Sequence, residues 1–315
     1  MPIHPYLADR FPLIAGIESA TEWRADQDKA ARVEAFRAHN APYELPKVEV
    51  AAFDIPGPHG PIPLRTYRAE TARRDAPGLV WLHGGGFSGG DLDMTEAHVV
   101  GAELAARASS LVVSVGYRLA VDGVRYPVPL DDAFAAWQWV ADHAAQLGVA
   151  PERTSLGGAS AGANLALSAA LRARSKQEHL APHALLLAYP VVHFPVPALG
   201  DDVYPEMLRI PGMLRFLPSR NAEIFRNYVG RISNLPLEVV PGHGDLCGLA
   251  PTWVIVAEYD DLRPSGELLV AQLREAGVSA ELYLARGMLH GHLNIPPIAA
   301  LPEVGRSLEL LARCL

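Results

Sequence analysis

Eight short aliphatic and β-branched runs recur along the chain, at residues 47–53, 62–67, 78–82, 111–115, 154–158, 184–188, 252–257 and 280–284. Runs such as Leu79-Val80-Trp81-Leu82 and Val254-Ile255-Val256-Ala257 are continuously apolar. A strand needs that composition only when both faces of its sheet are covered. Stretches with helical spacing lie near 95–108, 130–147, 162–175, 263–276 and 300–313. The first two runs follow each other closely enough for a hairpin, and strand and helix alternate afterwards. This order predicts an α/β chain with an eight-stranded, mostly parallel sheet and helices on both faces.

With 315 residues and half of them apolar, the chain can bury a large core. The net charge of −8 argues against nucleic acid or an anionic membrane surface as the main partner. No run approaches the 18 apolar residues of a membrane span. The apolar run 11–17 contains Pro12 and has no basic segment ahead of it, unlike a secretory signal. Two cysteines, Cys247 and Cys314, cannot build a disulfide framework and are expected to be free thiols in a reducing cytoplasm.

Two regions depart from the rhythm. Residues 1–45 precede the first strand. Within 18–39, Trp23, Ala30, Val33 and Phe36 suggest a weakly amphipathic helix, closed by Pro42 and Pro46. Residues 193–250 are proline-rich and show no convincing strand, apart from a short helix around 221–228. That is too long for a simple connection, so it is expected to be an insertion folded over the sheet, with the N-terminal helix as neighbour. The expected division is therefore an N-terminal segment, 1–45, and a main domain, 46–315, carrying the insertion. Met207, Met213, Leu214 and Phe216 of the insertion are candidates to line an apolar pocket.

The chemistry concentrates in a few loops. Gly158-Ala159-Ser160-Ala161-Gly162 fits G-x-S-x-G, as does Gly86-Phe87-Ser88-Gly89-Gly90. A nucleophile elbow requires a strand before the serine and a helix after it, which selects Ser160. His83-Gly84-Gly85-Gly86 follows the run 78–82 directly. Bare glycines let peptide N–H groups approach a ligand, and acyl transfer needs such donors where negative charge develops. The N–H groups of Gly85, Gly86 and Ala161 are therefore the candidate oxyanion hole. A serine needs a base, and in this chain order the base comes last, after the acid. His290, just past the run 280–284, is the candidate. His292 is a decoy, and no third ligand suggests a metal site. Glu258, Asp260 and Asp261 all stand where the acid belongs, and position alone does not choose among them.

Taken together, these residues resemble the bacterial hormone-sensitive-lipase-like (family IV) carboxylesterases of the α/β-hydrolase superfamily. The matching pieces are His83-Gly84-Gly85-Gly86-Phe87, Tyr117-Arg118-Leu119-Ala120, Leu130-Asp131-Asp132-Ala133, the Ser160 pentapeptide with Asn164, Ala257-Glu258-Tyr259-Asp260-Asp261-Leu262-Arg263, and Gly287-Met288-Leu289-His290-Gly291. The resemblance implies an α/β-hydrolase fold with a helical cap formed by 1–45 and 193–250, and Asp260 as the acid, from the family's D-x-L motif. It adds Phe87 to the substrate-binding candidates. It implies a cofactor-free serine esterase acting on short- to medium-chain esters through an acyl-enzyme, in proteins that are often homodimers. Ala159 stands where the family usually has Asp or Thr, Ala163 where Gly is common, Val121-Asp122 where Pro-Glu is usual, and Asp261 and His292 add titratable neighbours to the acid and base. Amide, thioester or lactone cleavage would use the same triad. A ligand-binding receptor on this scaffold, as in the plant gibberellin receptors, lacks the catalytic histidine that His290 supplies here.

Overall fold

The computed structural model describes residues 2–19, 22–23, 25–39, 41–176, 181–201 and 203–315. Its strands are β1 (Val48–Ile55), β2 (Ile62–Ala69), β3 (Ala76–Leu82), β4 (Leu111–Val115), β5 (Val149–Ala159), β6 (Leu185–Ala188), β7 (Thr252–Tyr259) and β8 (Ala280–Leu289). The main helices are α1 (Gln27–Arg37), α2 (Thr95–Ala108), α3 (Val128–Asp142), α4 (Ala161–Lys176), α5 (Pro218–Val229), α6 (Arg263–Glu275) and α7 (Pro302–Arg313).

The strands form one sheet in the order β1-β2-β4-β3-β5-β6-β7-β8. β2 is antiparallel to both its neighbours, and the six strands from β4 to β8 run parallel. All seven residues of β3 and all five of β4 are buried, as their uninterrupted apolar sequences require. Alternate residues of β3 face opposite layers. Val80 and Leu82 join Phe134 and Trp137 of α3, Leu165 of α4 and Leu269 of α6. Leu79 and Trp81 join Val100 and Leu104 of α2 and Leu308 of α7.

The order of strands also fixes where chemistry can sit. From β3 the chain steps outward to β4 on one side, then returns to place β5 on the other. At such a reversal the two following loops diverge and leave a crevice at the carboxyl ends of the strands. The glycine loop follows β3 and Ser160 follows β5, so the two sequence motifs farthest from ordinary packing open onto the same crevice.

The polar residues quoted in the family resemblance act as local struts. Asp132, fully buried, accepts from the Arg118 N–H at 3.0 Å and from its guanidinium at 2.7 and 2.8 Å, tying α3 to the end of β4. Asn164 of α4 donates to the carbonyls of Val191 and Val239 at 2.7 and 2.9 Å, tying the approach to the insertion to its later part.

Outside the sheet, the expected helix over 18–39 is shorter. Its regular part is α1, which begins after Asp26, whose carboxylate caps the N–H groups of Asp28 and Lys29. The parts of that expectation at residues 20, 21 and 24 lie outside the described residues. The helix starts after Asp26 because a short carboxylate satisfies the free N–H groups of a first turn better than another helical residue would. The insertion contains α5, which begins three residues before the expected start at Asn221, because Pro218 supplies a preset first turn. Met213 packs with Ile14, Ile17 and Val33, and its N–H donates to the Ile17 carbonyl at 3.1 Å. The N-terminal segment and the insertion therefore touch directly. Residues 3–7 instead pack under the sheet edge, where Ile3 and Leu7 are buried and the His4 N–H donates to Gly287 O at 2.9 Å.

Candidate active site

Ser160 stands between the last residue of β5 and the first of α4, with φ +53°. The left-handed backbone throws its side chain out of the turn, and the neighbours must be small for the turn to close. A Cβ on Gly158 would lie 2.6 Å from the Gly162 and Leu82 backbones, and one on Gly162 would lie 2.1 Å from Leu82 O. Sterics thus dictate the glycines of G-x-S-x-G. Ala161 is the first residue of α4, so its N–H has no carbonyl in a preceding turn to bond.

Three loops bring the candidate triad together. His290 Nε2 lies 2.9 Å from Ser160 Oγ, and His290 Nδ1 lies 2.7 Å from Asp260 Oδ2. The carboxylate accepts, so Nδ1 carries the proton and Nε2 is left to accept from the serine hydroxyl. Asp260 Oδ1 in turn accepts from the Leu262 N–H at 2.9 Å, which fixes the orientation of the carboxylate. The Tyr189 ring meets His290 edge-on with centroids 4.9 Å apart, and the Phe216 ring lies 4.4 Å away, so the imidazole is held on its faces as well.

The neighbouring acids have other partners. Asp261 is clamped by Arg215 at 2.8 and 2.9 Å and accepts from the Phe216 N–H at 2.8 Å, fastening the insertion beside the triad. Glu258 Oε2 accepts from the Gly287 N–H at 2.7 Å, bracing the turn before His290. His292 is buried, with Nε2 3.0 Å from Ser307 Oγ. Burial, with the His290 charge second, drives its pKa down to about 3, so it stays a neutral packing group.

The glycine loop bends back on itself with φ +120° at Gly85, +61° at Gly86 and +64° at Phe87. A Cβ at Gly85 would come within 2.0 Å of Gly89 O, so this position admits glycine alone. Among the described residues, the N–H groups of Gly85 and Gly86 donate to no backbone carbonyl. Gly84 approaches the Ser160 Cβ closely enough that a Cβ of its own would sit 3.2 Å away. His83 stacks on Tyr117 at 4.5 Å, and Tyr117 Oη donates to His83 O at 2.7 Å. His83 is thus part of the loop's support, and burial lowers its pKa. Ser88, the competing serine, sits in the following turn and donates its N–H to Gly85 O at 3.2 Å.

The candidate pocket residues divide. Phe87 is fully buried, stacked on Tyr228 with centroids 3.9 Å apart, so it builds the floor under α5 and does not line an open pocket as expected. Met207 is also buried, packed among the residues of the second core face. Met213 and Leu214 join the N-terminal cluster. Phe216 alone of the five has a ring contact with the triad, and it also carries the Arg220 guanidinium 4.6 Å above its ring. Apolar residue type flagged the four in the insertion and the resemblance added Phe87, but which face each turns to the core is decided by tertiary packing.

Sequence reasoning passed over other neighbours. Ile224 of α5 approaches the glycine loop: a Cβ on Gly86 would lie 3.8 Å from its side chain. Glu96, in the first turn of α2, accepts from the Gly84 N–H at 2.6 Å and from Tyr189 Oη at 2.5 Å. The available signal was an acidic residue opening the helix that follows a glycine loop, and a tyrosine ending the apolar run 184–188.

The α/β-hydrolase-fold family model matches residues 79–294, which span the glycine loop, Ser160, Asp260 and His290. The chain belongs to the hormone-sensitive-lipase-like branch of the α/β-hydrolases. Among its relatives, carboxylesterase NlhH of Mycobacterium tuberculosis is 33% identical over 337 residues, covering 100% of this chain and 96% of that protein. Esterase LipI of the same organism is 32% identical, with 95% and 93% covered. Among solved structures, the hyperthermophilic esterase of the archaeon Pyrobaculum calidifontis superposes with a TM-score of 0.81 at 31% identity, over 99% of this chain and 97% of that one. Within this hydrolase family the present chain therefore matches esterases along its whole length, the N-terminal segment and the insertion included.

Proposed function

We propose that the protein is a serine carboxylesterase that hydrolyses small-molecule carboxylic esters through an acyl-enzyme. The carrying observation is the continuous chain Ser160–His290–Asp260, with links of 2.9 and 2.7 Å. Ser160 Oγ attacks the ester carbonyl while His290 Nε2 takes its proton. The carbonyl oxygen becomes an oxyanion held by the N–H groups of Gly85, Gly86 and Ala161, a reading supported by the absence of backbone carbonyl partners for Gly85 and Gly86 among the described residues. Collapse breaks the bond to the alkoxy oxygen, and the imidazolium returns the proton so that an alcohol leaves. Water then attacks the acyl group with His290 again as base, a second tetrahedral intermediate forms, and the carboxylic acid leaves as Ser160 is reprotonated.

Residues 1–45 and 193–250 act as a cap over this crevice. Support comes from the contact of Met213 with Ile17 and from the Arg215–Asp261 clamp next to the catalytic acid. Phe216 and Ile224 present apolar surface near His290 and Gly86, which suits a short to medium acyl chain. Among the described residues, no helix is long and apolar enough to cross a membrane. The two cysteines are unpaired, in keeping with a cytoplasmic enzyme.

With p-nitrophenyl butyrate the expected time course is a burst of p-nitrophenol stoichiometric with enzyme, followed by a slower steady state, whenever deacylation limits turnover. Across p-nitrophenyl esters, kcat/KM should rise from acetyl to a maximum near butanoyl or hexanoyl and then fall. A kcat/KM that increased steadily from octanoyl down to acetyl would contradict the apolar pocket. No hydrolysis of any of these esters by folded protein would contradict the esterase reading itself.

A further inference from the structure

We propose that Glu96 is a positioning residue for ester hydrolysis: its carboxylate locks the oxyanion loop to the loop that carries His290. The proposal rests on the serine-esterase reading above and assigns a role that the triad and the glycines leave open.

Glu96 is 1% exposed although it belongs to the first turn of a helix, where a carboxylate would ordinarily face solvent. Its side chain runs inward and ends between three loops. Oε2 accepts from the Gly84 N–H at 2.6 Å, after β3. Oε1 accepts from Tyr189 Oη at 2.5 Å, after β6, and from Asn294 Nδ2 at 3.0 Å, after β8. The main chain of Glu96 is held too, since Trp81 Nε1 donates to its carbonyl at 2.8 Å.

Each of these partners leads to the chemistry. Gly84 directly precedes the two candidate oxyanion donors. Its carbonyl meets His83 Nδ1 at 2.7 Å, so Glu96 and His83 grip Gly84 at its N–H and its C=O respectively. In a trans peptide the next N–H points opposite that C=O, so gripping Gly84 aims the Gly85 donor. Tyr189 meets the His290 ring edge-on. Asn294 closes the turn after His290, bonding back to Gly291 O through both its N–H and its Nδ2. Ala159, which precedes the nucleophile, is buried and has no polar side-chain atom to share the task.

The carboxylate is suited to this place because all three side-chain and backbone partners donate to it. Burial raises its pKa, and the three donors oppose that by favouring the ionised acceptor. Packing alone would be served by leucine. A leucine leaves the Gly84 N–H and Tyr189 Oη without their acceptor and frees a glycine-rich segment to rotate its peptides. Glutamine keeps one oxygen for Gly84 and offers an N–H to Tyr189 Oη, which can turn to accept.

The test compares Glu96→Leu and Glu96→Gln with wild type, on p-nitrophenyl butyrate and on a trifluoromethyl ketone that forms a tetrahedral adduct. A misaimed oxyanion donor is expected to lower kcat about 10²-fold in Glu96→Leu. KM should stay within about threefold, ketone affinity should fall in step with kcat/KM, and Glu96→Gln should recover kcat to within about tenfold of wild type. The proposal is overturned if Glu96→Leu keeps kcat within about threefold, if KM absorbs the loss, or if Glu96→Gln is no better than Glu96→Leu. Should Glu96→Leu not fold, Tyr189→Phe decides, because it removes one bond to the carboxylate and leaves the ring. A kcat lowered about tenfold at constant KM supports the role, and an unchanged kcat overturns it. Fluorophosphonate labelling of Ser160 in wild type separates the two levels: its absence sinks the esterase reading, whereas labelling with unaffected Glu96 variants sinks only this proposal.

Discussion

Ser160→Ala is expected to lower kcat on p-nitrophenyl butyrate by about 10⁴-fold or more while the protein keeps its fold. The loss is large because Ser160 Oγ is the hydroxyl bonded to His290 Nε2, the base aligned on the buried Asp260 carboxylate. The residual rate is what the glycine loop supplies to attack by water, the donors being untouched by the substitution. Stability should change little, since alanine and serine tolerate the φ of +53° at this turn about equally. KM should stay near its wild-type value, because the hydroxyl contributes to the transition state and not to holding the acyl or alcohol groups. A variant that retained wild-type kcat with an unchanged melting temperature would exclude Ser160 as nucleophile.

Asp260→Asn should cost about 10⁴-fold in kcat for a different reason. Asp260 Oδ1 accepts from the Leu262 N–H at 2.9 Å, so an asparagine would keep its oxygen there and present its NH₂ where Oδ2 now faces His290. A donor in that place makes Nδ1 the acceptor and moves the ring proton to Nε2. The imidazole then donates to Ser160 Oγ and cannot take its proton. The steady-state rate, read together with unchanged thermal stability, distinguishes this tautomer effect from unfolding. Asp261→Asn is the matched control: its partners are Arg215 and the Phe216 N–H, so it should loosen the insertion and leave kcat within about tenfold of wild type. The reverse ranking of the two variants would move the acid role to Asp261.

Much of this architecture could be read from residue order. Each of the eight expected runs overlaps a strand, and the central ones, β3, β4 and β6, match within two residues because strands buried on both faces are written as unbroken apolar runs. By contrast, β5 begins five residues before its run and β8 ends five residues after its own. The triad was legible for a separate reason. Ser160 lies in a turn that only small neighbours permit, and chain order places His290 after the last strand; order left Glu258, Asp260 and Asp261 open as the acid, and the resemblance to the family's D-x-L motif singled out Asp260. What stayed hidden depends on packing between distant segments. Phe87 follows the glycine loop and looked available to substrate, yet a positive φ turns it under α5 onto Tyr228. Met207 and Met213 are as apolar as Phe216, and nothing local tells which of them faces the crevice. Glu96 escaped notice because a carboxylate in a first helical turn ordinarily needs no explanation beyond the helix dipole. Only the fold reveals that it points inward, to three loops far apart in sequence.

A structure of the enzyme after reaction with a p-nitrophenyl alkylphosphonate tests the central geometry most directly. Phosphorus should be bonded to Ser160 Oγ, with His290 Nε2 at hydrogen-bonding distance from the serine or leaving-group oxygen. The phosphoryl oxygen should sit about 2.7–3.1 Å from the N–H groups of Gly85, Gly86 and Ala161. Phosphorus on Ser88 or another residue, or a phosphoryl oxygen directed away from the glycine loop, would contradict the assignment of nucleophile and oxyanion hole together.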